Sequence, residues 1–518
     1  MGTKKLEYSK SLTQKIGLGL GLFLFLGTLI LFDFDPENPL VTRMAAVAIL
    51  MAVWWITDAI PLYATALLPL ILFPLLGIQK GSAVAPIYVN STIFLFIGGF
   101  MIALTMQKWK LHRRIALFII RFIGGGPVRI VLGFMIASAF LSMWISNTAT
   151  AIMMVPIGLA IVLQIEEKFE AAEMHNFTVG LMLGIAYACS MGGIATLVGT
   201  PPNLSLARIF EITFPEAPPI TFGSWFIMAL PISIMMLIII WLLLTRVFFR
   251  IPEHIQVDRS IIDQEYQSLG KMSFEEKSVL TVFSLTALLW VFRKQLILGF
   301  LTIPGWSQLI PYPDLIDDGT VALFMAMLLM LIPTRSKDAK SPTIMGAWVI
   351  KKLPWNIVLL FGGGFALAKG FQVTGLSALI GNEFAGLAGT SPIIMIVSIC
   401  FGLTFLTELT SNTATTEMIL PILASVGFAM QVNPLMLMIP ATLSASCAFM
   451  MPVATPPNAI VFGSGRVRIA EMAKAGFFIN IIGIMVITIY FYTIGADLMG
   501  IDLNVFPEWA KQLGSAAH

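Results

Sequence analysis

The sequence predicts an all-α polytopic membrane protein with eleven transmembrane helices and two opposed re-entrant hairpins arranged as an inverted repeat. Three observations predict it. Of 518 residues, 58% are hydrophobic and only 11% charged, against about 25% charged in a soluble domain. The apolar residues fall in blocks of about 15 to 25, long enough to cross a ~30 Å hydrocarbon core at 1.5 Å per residue. A pair of short polar motifs occurs twice at nearly constant offset. Soluble enzymes, coiled coils, disordered scaffolds and outer-membrane barrels are excluded by the first two alone.

The elements follow from where charge interrupts the apolar blocks. Lys and Arg stay on the cytoplasmic side of short loops. Lys4, Lys5, Lys10 and Lys15 therefore start the chain inside. The run Ile16–Phe32 lacks a small-residue cleavage site and is followed by Asp33, Asp35 and Glu37, so it is a membrane helix rather than a signal peptide. Helices near 40–57 and 61–78 lead outside, and one near 92–106 returns to a loop with Lys108, Lys110, Arg113, Arg114, Arg121 and Arg129. Stretch 130–165 is apolar on both sides of Ser146–Thr150, with each half short for a span. A hairpin that dips in and returns fits it, since irregular backbone at membrane depth needs protein or water around it.

A helix at 177–210, broken at Gly199-Thr200-Pro201-Pro202-Asn203, leads out, and 225–249 returns to Arg246, Arg250, Arg259, Lys271 and Lys277. Segment 250–277 reads equally as an interfacial helix or a plain linker. Helices near 278–292 and 319–333 go out and back to Arg335, Lys337, Lys340, Lys351 and Lys352. One at 355–370 goes out, and a second hairpin at 392–427 dips in from outside. Spans at 434–462 and 473–497 flank Arg466, Arg468 and Lys474. The N-terminus is placed in the cytoplasm and the C-terminus outside the inner membrane.

Ser146-Asn147-Thr148-Ala149-Thr150 recurs as Ser411-Asn412-Thr413-Ala414-Thr415, an offset of 265 residues. At the same offset Gly98-Gly99-Phe100 matches Gly363-Gly364-Phe365, Gln107 matches Gln372, Leu111 matches Leu376 and Pro156 matches Pro421. Gly199-Thr200-Pro201-Pro202-Asn203 recurs as Ala454-Thr455-Pro456-Pro457-Asn458 at offset 255. The charged insert at Glu166–Asn176 accounts for the difference. One SNTAT alone would be an ordinary helix cap. Two copies, each followed by a TPPN break and facing opposite ways, are the inverted repeat of a secondary transporter with its site at the repeat interface.

The motifs suit an anion and cations together. A helix start exposes unpaired N–H groups and about half a positive charge, so two SNT tips can hold two anionic groups. Consecutive prolines supply no N–H and interrupt a helix, freeing carbonyl oxygens for a hard cation. None of the four motifs contains Arg or Lys. A buried dianion without a fixed basic partner is costly, and co-bound sodium would balance it.

The paired SNT and TPPN motifs resemble the divalent anion:sodium symporter family, the sodium-coupled dicarboxylate, tricarboxylate and sulfate transporters, over essentially the whole chain. The resemblance implies a homodimer in the bilayer, each protomer with a scaffold and a transport domain moving as an elevator. It implies substrate contacts at Ser146, Asn147, Thr148, Ser411, Asn412, Thr413, Thr455 and Pro456, with Thr200 and Pro201 as their repeat-related partners. It implies one sodium at Ser142, Ser146, Asn147 and the Gly199 carbonyl, and a second at Thr407, Thr410, Asn412 and the Ala454 carbonyl. The expected division is scaffold helices in 1–91, a first repeat core in 92–249, linker and further scaffold in 250–354, a second repeat core in 355–497 and a tail in 498–518. The expected activity is import of C4-dicarboxylates (succinate, malate, fumarate) with Na+. A sodium-independent or proton-coupled exchanger, or a citrate or sulfate symporter, remains an alternative.

Other chemistries find little support in the residues. Cys189, Cys400 and Cys447 show no CxxC spacing and read as small buried hydrophobes. His112, His175, His254 and His518 form no HExxH pair. Gly124-Gly125-Gly126 and Gly362-Gly363-Gly364 lack the GxxxxGK[ST] pattern, so helix packing explains them better than phosphate binding. No paired catalytic carboxylates or nucleophile–histidine arrangement suggests an enzyme, and no nucleic-acid partner is expected. Broken helices in inverted repeats favour alternating access over a channel. Lys369 and Arg208, near helix ends, read as snorkelling side chains. Glu408 and Glu417 flank the second SNT where the first repeat has Met143 and Ile152. They read as structural or tuning residues, with proton coupling as the competing role.

Overall fold

The computed structural model describes residues 10–511 apart from 167–170, 253–259, 299–300, 338–340, 385 and 387–388, and among them it holds twenty-five α-helices, a few short 3-10 and π turns and one small hairpin sheet. Lys4, Lys5, Arg259, Lys340, His254, His518 and the middle of the 166–176 insert lie outside the described residues. In chain order the helices begin with α1 (Leu12–Leu31), α2 (Pro39–Thr57), α3 (Leu62–Thr65), α4 (Leu68–Leu75), α5 (Gly81–Val84), α6 (Ser91–Lys108) and α7 (Leu111–Ile123). There follow α8 (Pro127–Ser142), α9 (Asn147–Glu166), α10 (Ala171–Ile194), α11 (Pro201–Thr213) and α12 (Phe222–Leu242). The middle of the chain holds α13 (Ser260–Ser268), α14 (Phe274–Val291), strands β1 (Leu296–Leu298) and β2 (Leu301–Ile303), α15 (Asp318–Leu331) and α16 (Trp348–Lys352). The second half has α17 (Trp355–Thr374), α18 (Leu376–Phe384), α19 (Pro392–Thr407), α20 (Asn412–Ala429), α21 (Leu435–Ala445), α22 (Pro456–Gly463) and α23 (Ile469–Tyr490). The short α24 (Ala496–Leu498) and α25 (Glu508–Lys511) close it.

Local chemistry sets many boundaries. Ser11, Thr221 and Ser273 form reciprocal capping boxes at the starts of α1, α12 and α14, satisfying N–H groups the first turn leaves unpaired. Asn90 caps α6 through Thr92 N and Ile93 N. Among the described residues eight helices are long and apolar enough to cross a membrane, and five apolar stretches are shorter.

Several elements depart from the sequence reading. The expected helix at 61–78 is split into α3 and α4 where Pro69, at the start of α4, has no N–H to continue the ladder; Pro61 precedes α3 and Pro74 lies within α4. The spans at 177–210 and 434–462 each become two helices joined by non-helical turns at 195–200 and 446–455. Both hairpins are present, α8–α9 and α19–α20, but α9 runs 20 residues, long enough on length alone to span. The last span continues past α23 through a π-helical turn at Phe491–Gly495. Segment 250–277 contains α13 and the start of α14. The antiparallel pairing of β1 with β2 was not anticipated, since six residues inside a long loop carry no period.

The two repeats interlock. The first repeat's α11 packs against α17, α20 and α21, while the second repeat's α22 packs against α9 and α10. Central to this is α10, in which every residue from Phe177 to Ile194 is buried. Repeat-related glycines make equivalent close contacts. A Cβ on Gly98 of α6 would lie 2.6 Å from the Ala322 Cβ of α15, and one on Gly363 of α17 would lie 2.6 Å from the Ala66 Cβ between α3 and α4. At 363, packing is thus what the glycine serves.

Candidate functional site

Each SNT sits where a hairpin turns. Helix α8 ends at Ser142 and α9 starts at Asn147; α19 ends at Thr407 and α20 starts at Asn412. The Ser146 hydroxyl oxygen accepts from Ala149 N at 3.3 Å, and that of Ser411 from Ala414 N at 3.5 Å. Serine side chains at the cap take one donor each, leaving other first-turn N–H groups directed beyond the tip. The Ser142 hydroxyl donates to Asn147 Oδ1 at 2.5 Å, and Thr407 donates to Asn412 Oδ1 at 2.6 Å. These bonds are the same bond in the two repeats.

The TPPN breaks are braced just as symmetrically. Asn203 Nδ2 donates to the carbonyls of Gly193, Ile194 and Thr196, at 3.3, 3.2 and 2.7 Å. Asn458 Nδ2 donates to those of Ala448 and Met451, at 3.0 and 3.1 Å. Each asparagine lies fully buried, and its amide holds the non-helical segment that Pro201-Pro202 or Pro456-Pro457 follows. The Thr196 hydroxyl ties break to tip, donating to the Met143 carbonyl at 2.5 Å and accepting from Gly199 N at 3.0 Å.

These four pieces surround one cavity of about 560 Å³. Ser146, Asn147, Thr148, Thr200, Pro201, Ser411, Asn412, Thr413, Thr455 and Pro456 all line it. Of the remaining residues expected at cations, Gly199, Thr410 and Ala454 line it too. Ser142 and Thr407 do not; they lie buried behind the tips, touching the cavity's asparagines. Oxygens converge on the first side, where a Cβ on Gly193 would lie 2.8 Å from Asn147 Oδ1 and 3.3 Å from the Gly199 carbonyl. On the second side Thr407 also donates to the Ala445 carbonyl at 3.0 Å. The Thr410 hydroxyl donates to the Leu406 carbonyl at 2.8 Å and lies 2.6 Å from that of Thr415.

Among the described residues the cavity wall contains no Lys, Arg or His, and Asp58, at the end of α2, is its one charged lining residue. An anion there is met by helix N-termini, hydroxyls and amides, and its charge calls for accompanying cations. Opposite the motifs, the wall is supplied by Trp55, Ile56 and Leu62 near the α2–α3 turn, Phe96 and Phe100 of α6, and Ile357 of α17. Sequence reasoning missed these residues as lining. Phe96 and Phe100 share one face of α6 at spacing i, i+4, but core packing gives the same pattern, so no distinguishing signal existed. Leu409 and Val453, beside the second tip and break, are also lining residues and are 72% and 79% exposed.

The two acidic residues near the second tip hold structure. Glu408 Oε1 accepts from Phe449 N at 2.7 Å, Met450 N at 2.9 Å and Asn480 Nδ2 at 2.7 Å, and Oε2 accepts from Met451 N at 3.0 Å. It thereby anchors the non-helical backbone before the second TPPN. Glu417, fully buried on α20, accepts at Oε1 from the Ser205 hydroxyl of α11. Its Oε2 occupies space that a Cβ on Gly364 of α17 would fill.

Among known proteins, residues 19–501 match the sodium:sulfate symporter transmembrane region. The chain is 42% identical over 506 residues to the sodium-dependent dicarboxylate transporter SdcS of Staphylococcus saprophyticus, covering 97% of this chain and 95% of that protein. It is 43% identical over 499 residues to SdcS of Staphylococcus aureus, covering 95% and 94%. In fold it resembles MtrF of Neisseria gonorrhoeae, at TM-score 0.53 and 13% identity, over 80% of this chain and 84% of that one. It likewise resembles the YdaH transporter of Alcanivorax borkumensis, at TM-score 0.53 and 12% identity, over 79% and 86%. With a near full-length match in sequence and an all-α membrane fold, the chain belongs to the sodium:sulfate symporter family, the divalent anion:sodium symporters.

Proposed function

We propose that this chain imports C4-dicarboxylates such as succinate, malate and fumarate together with sodium. The observation that carries this reading is a single cavity lined by both SNT tips and both TPPN breaks and containing no cationic side chain. One substrate carboxylate is held by Ser146, Asn147 and Thr148 and the other by Ser411, Asn412 and Thr413, with Thr200, Pro201, Thr455 and Pro456 at the sides. One sodium binds at Ser142, Ser146, Asn147 and the Gly199 carbonyl, the other at Thr407, Thr410, Asn412 and the Ala454 carbonyl. The near relatives named as sodium-dependent dicarboxylate transporters support both the cation and the substrate class.

In this reading the repeat cores, 92–249 and 355–497, carry the site as a transport domain. It moves as an elevator against scaffold helices in 1–91 and 250–354, with 498–518 as a tail. The protomer has eleven spans and two re-entrant hairpins, an N-terminus in the cytoplasm and a C-terminus outside, and it pairs as a homodimer. The test is uptake of labelled succinate, malate, fumarate, citrate and sulfate into proteoliposomes, each with a sodium or a choline gradient. Saturable succinate uptake that requires sodium is expected. Equal uptake with choline and no internal counter-anion would refute sodium coupling, and a preference for citrate or sulfate would replace the substrate.

A further inference from the structure

A second polar cavity, of about 520 Å³, lies away from the substrate site, between the start of α7, the α13–α14 connection and the stretch after α15. Five basic residues line it: Lys110, Arg113, Arg114, Lys271 and Arg335. The acidic groups around it are already engaged. Glu276 accepts from Arg114 Nε at 2.8 Å and Nη2 at 3.2 Å, and from Ser273 N at 2.8 Å. Arg113 is paired with Glu265. Glu275 is held by neutral donors, the Thr334 hydroxyl at 3.0 Å and the backbone N–H groups of Arg335 and Ser336 at 2.8 and 2.9 Å. Among the described residues five basic side chains thus face three carboxylates, and the Lys110 and Lys271 ammonium groups and the Arg335 guanidinium pair with none of them. The Arg335 guanidinium instead lies 4.0 Å over the Phe274 ring.

We propose that this cavity binds the phosphate headgroup of an anionic membrane lipid. Guanidinium and ammonium groups converging in a concave site match a phosphate's charge and acceptor geometry, and basic pockets beside membrane helices are where such headgroups bind. The surroundings place it at headgroup depth. Helix α7 carries Arg113, Arg114 and Arg121, yet exposes Phe118 (57%) and Phe122 (83%), as a helix lying in the interface does. Trp109 lines the cavity, and the Lys108 ammonium sits 5.1 Å from its ring and 4.7 Å from that of Trp348, an aromatic and basic grouping typical of the membrane boundary. Lys110 itself has φ +60°. A non-glycine residue held in that left-handed conformation is strained, and Asn would suit the backbone better while lacking the charge.

The strain makes the test clean. Purified full-length protein in neutral detergent is titrated with short-chain phosphatidylglycerol, phosphatidylcholine or glycerol phosphate, reading the thermal midpoint and lipid adducts by native mass spectrometry. The comparison is with Lys110→Asn combined with Lys271→Gln, and separately with Arg335→Gln, which guards against a folding defect in the first. Phosphatidylglycerol is expected to stabilise the unaltered protein, with half-saturation moved up on the order of tenfold in the double variant and the phosphatidylcholine response unchanged. An equal phosphatidylglycerol response in all proteins overturns the site. Glycerol phosphate acting as strongly as phosphatidylglycerol overturns the lipid as its source and assigns a soluble phosphate ester.

Discussion

Asn147 and Asn412 each combine two jobs in one side chain. Each starts the helix leaving its tip, and each offers Oδ1 to a buried hydroxyl, Ser142 or Thr407, behind the cavity. Removing the amide takes that partner from Ser142, leaves Thr407 with only the Ala445 carbonyl and removes an oxygen from the proposed cation set, so Asn147→Ala and Asn412→Ala should each reduce sodium-driven succinate uptake by on the order of tenfold or more, taking a lost charged-group hydrogen bond as about 1.5–3 kcal/mol. Initial rates across a sodium titration check this; unchanged half-saturation for sodium in both variants would count against the cation assignment. Glu417 makes a different prediction. With one oxygen on the Ser205 hydroxyl and the other filling the space above Gly364, its shape matters more than its charge. Glu417→Gln should keep uptake and gain no new pH dependence, whereas Gly364→Ala should destabilise by about 1–3 kcal/mol through overpacking. Uptake abolished by Glu417→Gln, with a pH dependence appearing, would instead argue for a proton-coupled role.

At the scale of elements, the non-helical breaks are costly backbone that side chains must satisfy. The second break depends on one carboxylate, Glu408, which takes three successive N–H groups at 449–451. Glu408→Ala orphans them and the Asn480 amide, a loss on the order of 3 kcal/mol or more. Thermal unfolding in detergent should show it as a lowered midpoint, accompanied by loss of uptake; an unchanged midpoint would contradict the anchoring role. The first break needs no such residue, because the Thr196 hydroxyl and Asn203 amide suffice there. That difference explains why Glu408 has Met143 as its repeat counterpart. Both hairpins, both motif pairs and the long apolar helices were legible in the sequence, because period, length and repetition are local properties. The break of 61–78 at Ala66–Leu67, the length of α9 and the β1–β2 pairing were not. Three-residue strands are too short to show a period, and a proline in an apolar run does not by itself say whether the helix bends there or divides.

For the whole molecule, cation and anion charges meeting in a cavity without Lys or Arg predict strong mutual dependence of the two ligands. Sodium and succinate together should raise the thermal midpoint far more than either alone, with choline unable to replace sodium. A ligand at a hundred times its Kd contributes about 2.7 kcal/mol, so the combined shift is measurable. Equal stabilisation by succinate in choline would remove the basis for charge balance by sodium. The scarcity of charge was readable from composition, and the motif residues from repetition. Their convergence on one cavity was an inference from the paired motifs, and the structure brings all ten expected substrate residues to one cavity.

By itself the sequence determined the membrane class, the twofold repeat and the polar residues that the repeat preserves, since hydrophobic length and duplicated motifs are written in neighbouring positions. Only the tertiary structure decided the rest. It set which apolar side chains close the cavity, that α11 and α22 each pack against the other repeat, and that Glu408 and Glu417 are tied to backbone and hydroxyl partners. Those outcomes are contacts between residues tens to hundreds of positions apart. No local period encodes them, and the chain reveals them only when packed helices bring the partners together.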